Sequence, residues 1–216
     1  MSNSDPHHGQ PVLTSGEPFE TAHASMIFVH GRNADAASIL ELTREIGQPG
    51  FAYLAPQAAG NAWYPYSFLT PIAENEPYLS SALNVIETTL AHLTAAGIPP
   101  ERTMLLGFSQ GACLTLEFVA RHAQRYGGAV GLSGGLIGPE GTPRDYAGSL
   151  AGTPIFLGCS DMDFHIPKAR VQHSTEVLRR IGGDVTERLY PGMGHTVNHD
   201  EIKLVREMMT NLKRET

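Results

Sequence analysis

Met104-Leu105-Leu106-Gly107-Phe108-Ser109-Gln110-Gly111-Ala112-Cys113-Leu114-Thr115-Leu116-Glu117-Phe118-Val119 decides how the rest of this 216-residue chain is read. An apolar run, a G-x-S-x-G turn and a helical stretch follow one another, which is the order strand, sharp turn, helix. A nucleophile elbow needs small residues on both sides of its serine, because larger side chains would strike the neighbouring strand and helix. The turn therefore presents the Ser109 hydroxyl as a nucleophile.

Suitable partners lie downstream. Pro154-Ile155-Phe156-Leu157-Gly158-Cys159 reads as a buried strand running into Ser160-Asp161-Met162-Asp163-Phe164-His165-Ile166-Pro167, a loop that holds two carboxylates. Thr186-Glu187-Arg188-Leu189-Tyr190 reads as a further strand, followed by the glycine-rich loop Pro191-Gly192-Met193-Gly194-His195-Thr196. Serine, acid and histidine thus occur in the chain order of the α/β-hydrolase triad, in which the histidine takes the serine proton and the carboxylate orients the imidazole.

Other short apolar runs extend the pattern. Ser25-Met26-Ile27-Phe28-Val29 ends at His30-Gly31-Arg32-Asn33 and precedes a helix expected from about 35 to 46, and Phe51-Ala52-Tyr53-Leu54-Ala55-Pro56 is the next strand. Between 77 and 96, Leu79, Leu83, Ile86, Leu90 and Leu93 step by four, three, four and three, which places them on one helical face. Further strands are expected near 103–107, 128–132, 154–159 and 184–190, and a helix near 167–181. A last helix carries Ile202, Val205, Met209 and Leu212 as its buried stripe. Strands alternating with helices imply a mostly parallel central sheet covered on both faces, with the site beyond the carboxyl ends of the strands. Residues 1–17, polar and rich in Pro, Gly and Ser, read as a loose arm without chemistry, and 18–216 as a single α/β domain.

Composition narrows the function. A net charge of −7 argues against nucleic acid or an anionic membrane surface as a partner. No apolar run is long enough to span a bilayer, and the first ten residues lack the pattern of a signal peptide. A cytoplasmic protein is expected, with Cys113 and Cys159 as buried reduced thiols. The sequence leaves a homodimer open. His195 and His199 have the spacing of a metal pair, but no H-E-x-x-H glutamate stands between them, so no metal is expected.

Acyl transfer also needs donors for the oxyanion of a tetrahedral intermediate. The Gln110 amide, next after the nucleophile at the helix start, is one; the second is assigned to Arg32, because His30-Gly31-Arg32 resembles the H-G-x loop of esterases.

Taken with Trp63-Tyr64-Pro65-Tyr66, these segments resemble the carboxylesterase, lysophospholipase and acyl-protein thioesterase family of small serine hydrolases, over roughly residues 20–213. The resemblance implies a compact α/β-hydrolase without a large cap domain or cofactor, acting on a small acyl ester through an acyl-enzyme on Ser109. Thioesters and lysophospholipids fall within the same chemistry. It further implies an acid within a G-x-x-D-x-x-V-P-like segment. Counting back from Pro167 selects Asp163, for which Ser160 stands where glycine is expected, whereas counting from Gly158 selects Asp161. Asp163 is preferred, because its distance to the proline fixes how the loop enters the next helix. The aromatic loop becomes a pocket wall, with Trp63, Tyr64, Tyr66, Leu136 and Phe164 as the expected lining. Two competing readings are a hydrolase-fold binding protein with negligible turnover and a lactone hydrolase.

Overall fold

Each short apolar run forms a strand and each amphipathic stretch a helix in the computed structural model, which describes residues 5–215. The strands are β1 (Val12–Gly16), β2 (Ala24–Val29), β3 (Phe51–Pro56), β4 (Thr103–Phe108), β5 (Gly128–Leu132), β6 (Pro154–Ser160) and β7 (Asp184–Tyr190). They make one sheet in the order β1-β3-β2-β4-β5-β6-β7. Only β1 is antiparallel to its neighbour; the rest pair in parallel.

The helices are α1 (Ala36–Leu40), α2 (Thr43–Ile46), α3 (Tyr78–Ala95), α4 (Gln110–Arg121), α5 (Lys168–Arg180) and α6 (His199–Glu215). Side chains alternate along each strand, so two cores form, one on each face. Ile27, Val29, Leu105 and Leu157 meet α3, α4 and α5, while Met26, Phe28, Leu106 and Phe156 meet α1, α2 and α6. From Gln110 to Ala120 every residue of α4 is buried, because the helix packs against β2, β4 and β5 and against α3.

Three local expectations change. The single helix expected from 35 to 46 is two short ones, the first opened by Asp35, whose carboxylate accepts from the Ser38 amide in a capping box. On α6 the buried positions are Glu201, Val205, Met209 and Leu212, and Ile202 is only partly covered. A carboxylate thus occupies the stripe that sequence assigned to an apolar residue. The expected loose arm is the third correction. Val12–Gly16 pairs with β3, and Asp5–Gln10 forms turns against the domain; residues 1–4 lie outside the described residues. All five β1 residues are exposed, so this strand is held by its backbone ladder and has no apolar alternation to announce it.

Candidate active site

The elbow is built from backbone sterics. Ser109 has φ 55° and ψ −118°, a conformation L-residues adopt only when their surroundings enforce it. Its amide donates to the Leu132 carbonyl of β5 at 2.9 Å. A Cβ on Gly107 would lie 2.2 Å from the Gly111 carbonyl oxygen, and one on Gly111 would lie 2.0 Å from that of Val29. Both obstructions are backbone atoms, so neither can move aside.

Three loops at strand carboxyl ends then converge on Ser109. His195 Nε2 lies 2.8 Å from Ser109 Oγ, and His195 Nδ1 lies 2.7 Å from Asp163 Oδ2. A carboxylate can only accept, so Nδ1 carries the proton and Nε2 is free to accept from the serine hydroxyl. The Asp163 side chain has no solvent exposure. Burial works against its charge, yet the bond from His195 and the His165 and Ile166 amides, at 2.8 and 3.0 Å, hold its carboxyl below the ordinary value. The His195 ring packs between Phe108 and His165, with centroids at 5.1 and 4.9 Å.

Asp161 faces elsewhere, accepting from the Gly192 amide at 2.9 Å and so tying the acid loop to the histidine loop. Ser160 fastens the same two loops, accepting from the amides of Met162 at 3.2 Å and Gly194 at 3.3 Å. Its hydroxyl is what a glycine there would lack. Gly158 seats Glu201, whose Oε1 would lie 2.2 Å from a Cβ at that position. The Glu201 carboxylate accepts from the Asn198 amide at 2.8 Å, and the Glu201 amide donates to Asn198 Oδ1 at 2.9 Å. This reciprocal cap opens α6 four residues after His195. Burial pushes the Glu201 carboxyl up to about 7.

A cavity of about 480 Å³ opens over Ser109, at the point between β2 and β4 where the strand order reverses. Arg32, Tyr64, Tyr66, Phe68, Cys113 and His165 are among its lining. Of the expected lining, Tyr64 and Tyr66 are present and three residues are not. Trp63 is wholly buried behind the wall, with its indole N–H donating to the His30 carbonyl at 2.8 Å; Leu136 is in the core; Phe164 is 94% exposed on the outside of the acid loop. His165 and Ile166 line the cavity instead, because the bonds to Asp163 turn the loop by one residue. Burial pushes the Cys113 thiol up to about 12, which leaves it protonated and a poor nucleophile.

The wall is held by side chains from distant segments. Arg32 donates to the carbonyls of Pro65, Tyr64 and Tyr66 at 2.9, 2.7 and 2.8 Å. Gln110 accepts from the Trp63 amide and donates to the Tyr64 carbonyl, both at 2.9 Å. Asn75 accepts from the Tyr66 amide at 2.9 Å. The Gln110 amide, first in α4, is one of the four that no helical carbonyl satisfies, and the Arg32 amide donates to no backbone carbonyl among the described residues. Among those residues no group of three or more His, Cys, Asp or Glu could hold a metal ion, and no helix is long and apolar enough to cross a membrane.

Known proteins resemble this chain in sequence and in fold. The crystal structure of a phospholipase/carboxylesterase from Dyadobacter fermentans superposes with a TM-score of 0.91 at 41% identity, over 94% of this chain and 97% of that one. Acyl-protein thioesterase 1 of Gibberella zeae is 32% identical over 53% of this chain and 49% of its own, and that of Saccharomyces cerevisiae 34% identical over 57% and 55%. The chain spans about half the length of these two curated relatives. Residues 14–212 match the model of one family across nearly the whole sheet, so the chain belongs to the phospholipase/carboxylesterase family of α/β-hydrolases.

Proposed function

We propose that this protein is a cytoplasmic serine esterase that hydrolyses carboxylic esters through an acyl-enzyme on Ser109. The carrying observation is the unbroken hydrogen-bonded line from buried Asp163 through His195 to Ser109, at the floor of an open cavity. Ser109 Oγ attacks the ester carbonyl while His195 Nε2 takes its proton, and Asp163 keeps the resulting imidazolium oriented. The amides of Arg32 and Gln110 receive the oxyanion. His195 then protonates the departing alcohol, and water deacylates the enzyme by the same steps. No cofactor enters this chemistry. Two buried free thiols fit a reducing compartment.

The test is turnover of p-nitrophenyl acyl esters together with fluorophosphonate labelling, each lost in Ser109→Ala. Undiminished labelling of that variant would remove the proposal. An acyl series from acetate to palmitate, repeated with thioesters, then sets chain length and leaving group.

A further inference from the structure

Two buried histidines grip consecutive amides at the foot of the pocket wall. The Ala58 amide donates to His30 Nε2 at 3.1 Å, and the Ala59 amide donates to His7 Nδ1 at 3.0 Å. The other nitrogen of each ring faces a carbonyl, Gly31 O at 2.8 Å from His30 Nδ1 and Trp63 O at 3.0 Å from His7 Nε2. An imidazole that accepts on one nitrogen and donates on the other is neutral, so His7 carries its proton on Nε2 and His30 on Nδ1. Trp63 sits between the two rings, with centroids 5.5 Å from His7 and 4.9 Å from His30. Tyr64-Pro65-Tyr66, which line the cavity, follow it directly.

His7 reaches this place from the N-terminal segment, outside the triad and outside the cavity. Its amide donates to Ser81 Oγ at 3.0 Å, the Ser81 hydroxyl donates to Asp5, and its ring stands edge-on to Tyr78 of α3 at 6.0 Å. The residue is 2% exposed. Nothing in the acyl-transfer steps uses it.

We propose that His7 is a positioning residue for the catalytic pocket, whose neutral ring pins Ala59–Trp63 and sets the wall against which the ester lies. The inference rests on the ester-hydrolysis reading of that cavity. Protonation at Nδ1 would point an N–H at the Ala59 N–H and end the bond, releasing the wall from its outer side. The groups facing the ring are few. Burial opposes its protonation most strongly and keeps His7 below the usual imidazole value of 6.5; the Trp63 carbonyl, Asp5 on its own segment and the Tyr78 backbone favour the charge, and a charged His7 in turn disfavours charge on His30 across the wall. The release therefore belongs to mildly acidic pH, and above it the pin is complete.

The test compares wild type, His7→Asn and His7→Ala between pH 5 and 8, reading kcat and KM separately with p-nitrophenyl butyrate, which does not titrate there. Asparagine keeps an acceptor near the position of Nδ1 and cannot be protonated. Wild-type KM is expected to rise about 3- to 10-fold toward pH 5, the size of one lost wall hydrogen bond. In His7→Asn the KM stays level with pH while kcat follows the wild-type profile; in His7→Ala it is raised throughout. Trp63, the only tryptophan of the chain, gives a readout independent of turnover. Part of its emission change below pH 6.5 should disappear in His7→Asn. A wild-type KM that ignores pH, or a His7→Ala protein with lowered melting temperature but wild-type KM, would overturn the proposal. Absent ester turnover with the Trp63 signal intact would instead sink the esterase reading and leave the pin standing.

Discussion

The elbow around Ser109 and the wall from Gln57 to Phe68 border the same cavity but are held in place by opposite means. At the elbow the chain's own backbone does the positioning, through a strained φ at Ser109 and the absence of side chains at Gly107 and Gly111. The wall has little regular structure. Its shape depends on His7, Arg32, Asn75 and Gln110, which come from an N-terminal turn, a strand-end loop, a 3-10 turn and a helix start. The nucleophile is therefore fixed by backbone atoms and its surroundings by side chains, so the two regions should fail differently when altered.

The largest effects belong to the elbow. Gly111→Ala places a methyl 2.0 Å from a backbone oxygen, and we expect little or no soluble folded protein, checked by expression and circular dichroism. Ser109→Ala should keep its melting temperature within a few degrees while kcat falls on the order of 10³-fold or more. A folded, active Gly111→Ala protein would break the claim of steric positioning.

Next comes the acid loop, where two carboxylates separated by one residue should differ sharply. Asp163→Asn should lower kcat on the order of 10³- to 10⁴-fold, because an amide can donate to His195 Nδ1 and favour the wrong tautomer. Asp161→Asn keeps an oxygen for the Gly192 amide, and a loss below about tenfold is expected. Reversal of these two results would move the catalytic acid.

Glu201 gives a smaller effect, read in stability. Its carboxyl is raised to about 7 from the ordinary 4.5, so ionisation costs more in the folded chain than in the unfolded one. The stability that the neutral form provides is complete below about pH 4.5 and is lost as pH rises toward and through 7. Between pH 5 and 8 the wild type should lose on the order of 2 kcal/mol more than Glu201→Gln, measured as urea midpoints. Parallel pH profiles for the two proteins would show that the site stays neutral or is solvated.

The smallest change is expected at the wall. Arg32→Lys retains charge but cannot reach three carbonyls at once, and KM should rise about tenfold with kcat within about threefold. A kcat loss larger than the KM change would mean that the Arg32 side chain, and not only its amide, bears on the reaction centre.

The same contrast explains what sequence could and could not reveal. Gly107, Ser109 and Gly111 are legible because tight turns select small residues at fixed spacing, and His195 because its loop follows a recognisable strand. The alternation of apolar runs and helical stripes carried the sheet and its helices. Trp63, Leu136 and Phe164 were misplaced as lining, since apolar character does not say whether a side chain faces a cavity, a core or solvent. His7 lay in a stretch dismissed for its polarity. A hydrogen bond between residues 52 positions apart, such as Ala59 to His7, leaves no local mark. Glu201 broke the apolar stripe of α6, a conflict with periodicity that could have flagged it.

The antiparallel strand Val12–Gly16 has a consequence for how this protein behaves in a crowded solution. Without it, β3 would be the outermost member of a parallel sheet, presenting six consecutive buried residues and a row of unanswered amides and carbonyls. Such an edge invites another chain to add itself as the next strand. A five-residue ribbon with every side chain exposed occupies that place, running through Thr14 and Ser15 to a glycine. It acts as a selvedge. Shortened versions of the chain that begin after Gly16 should keep the catalytic residues and yet self-associate.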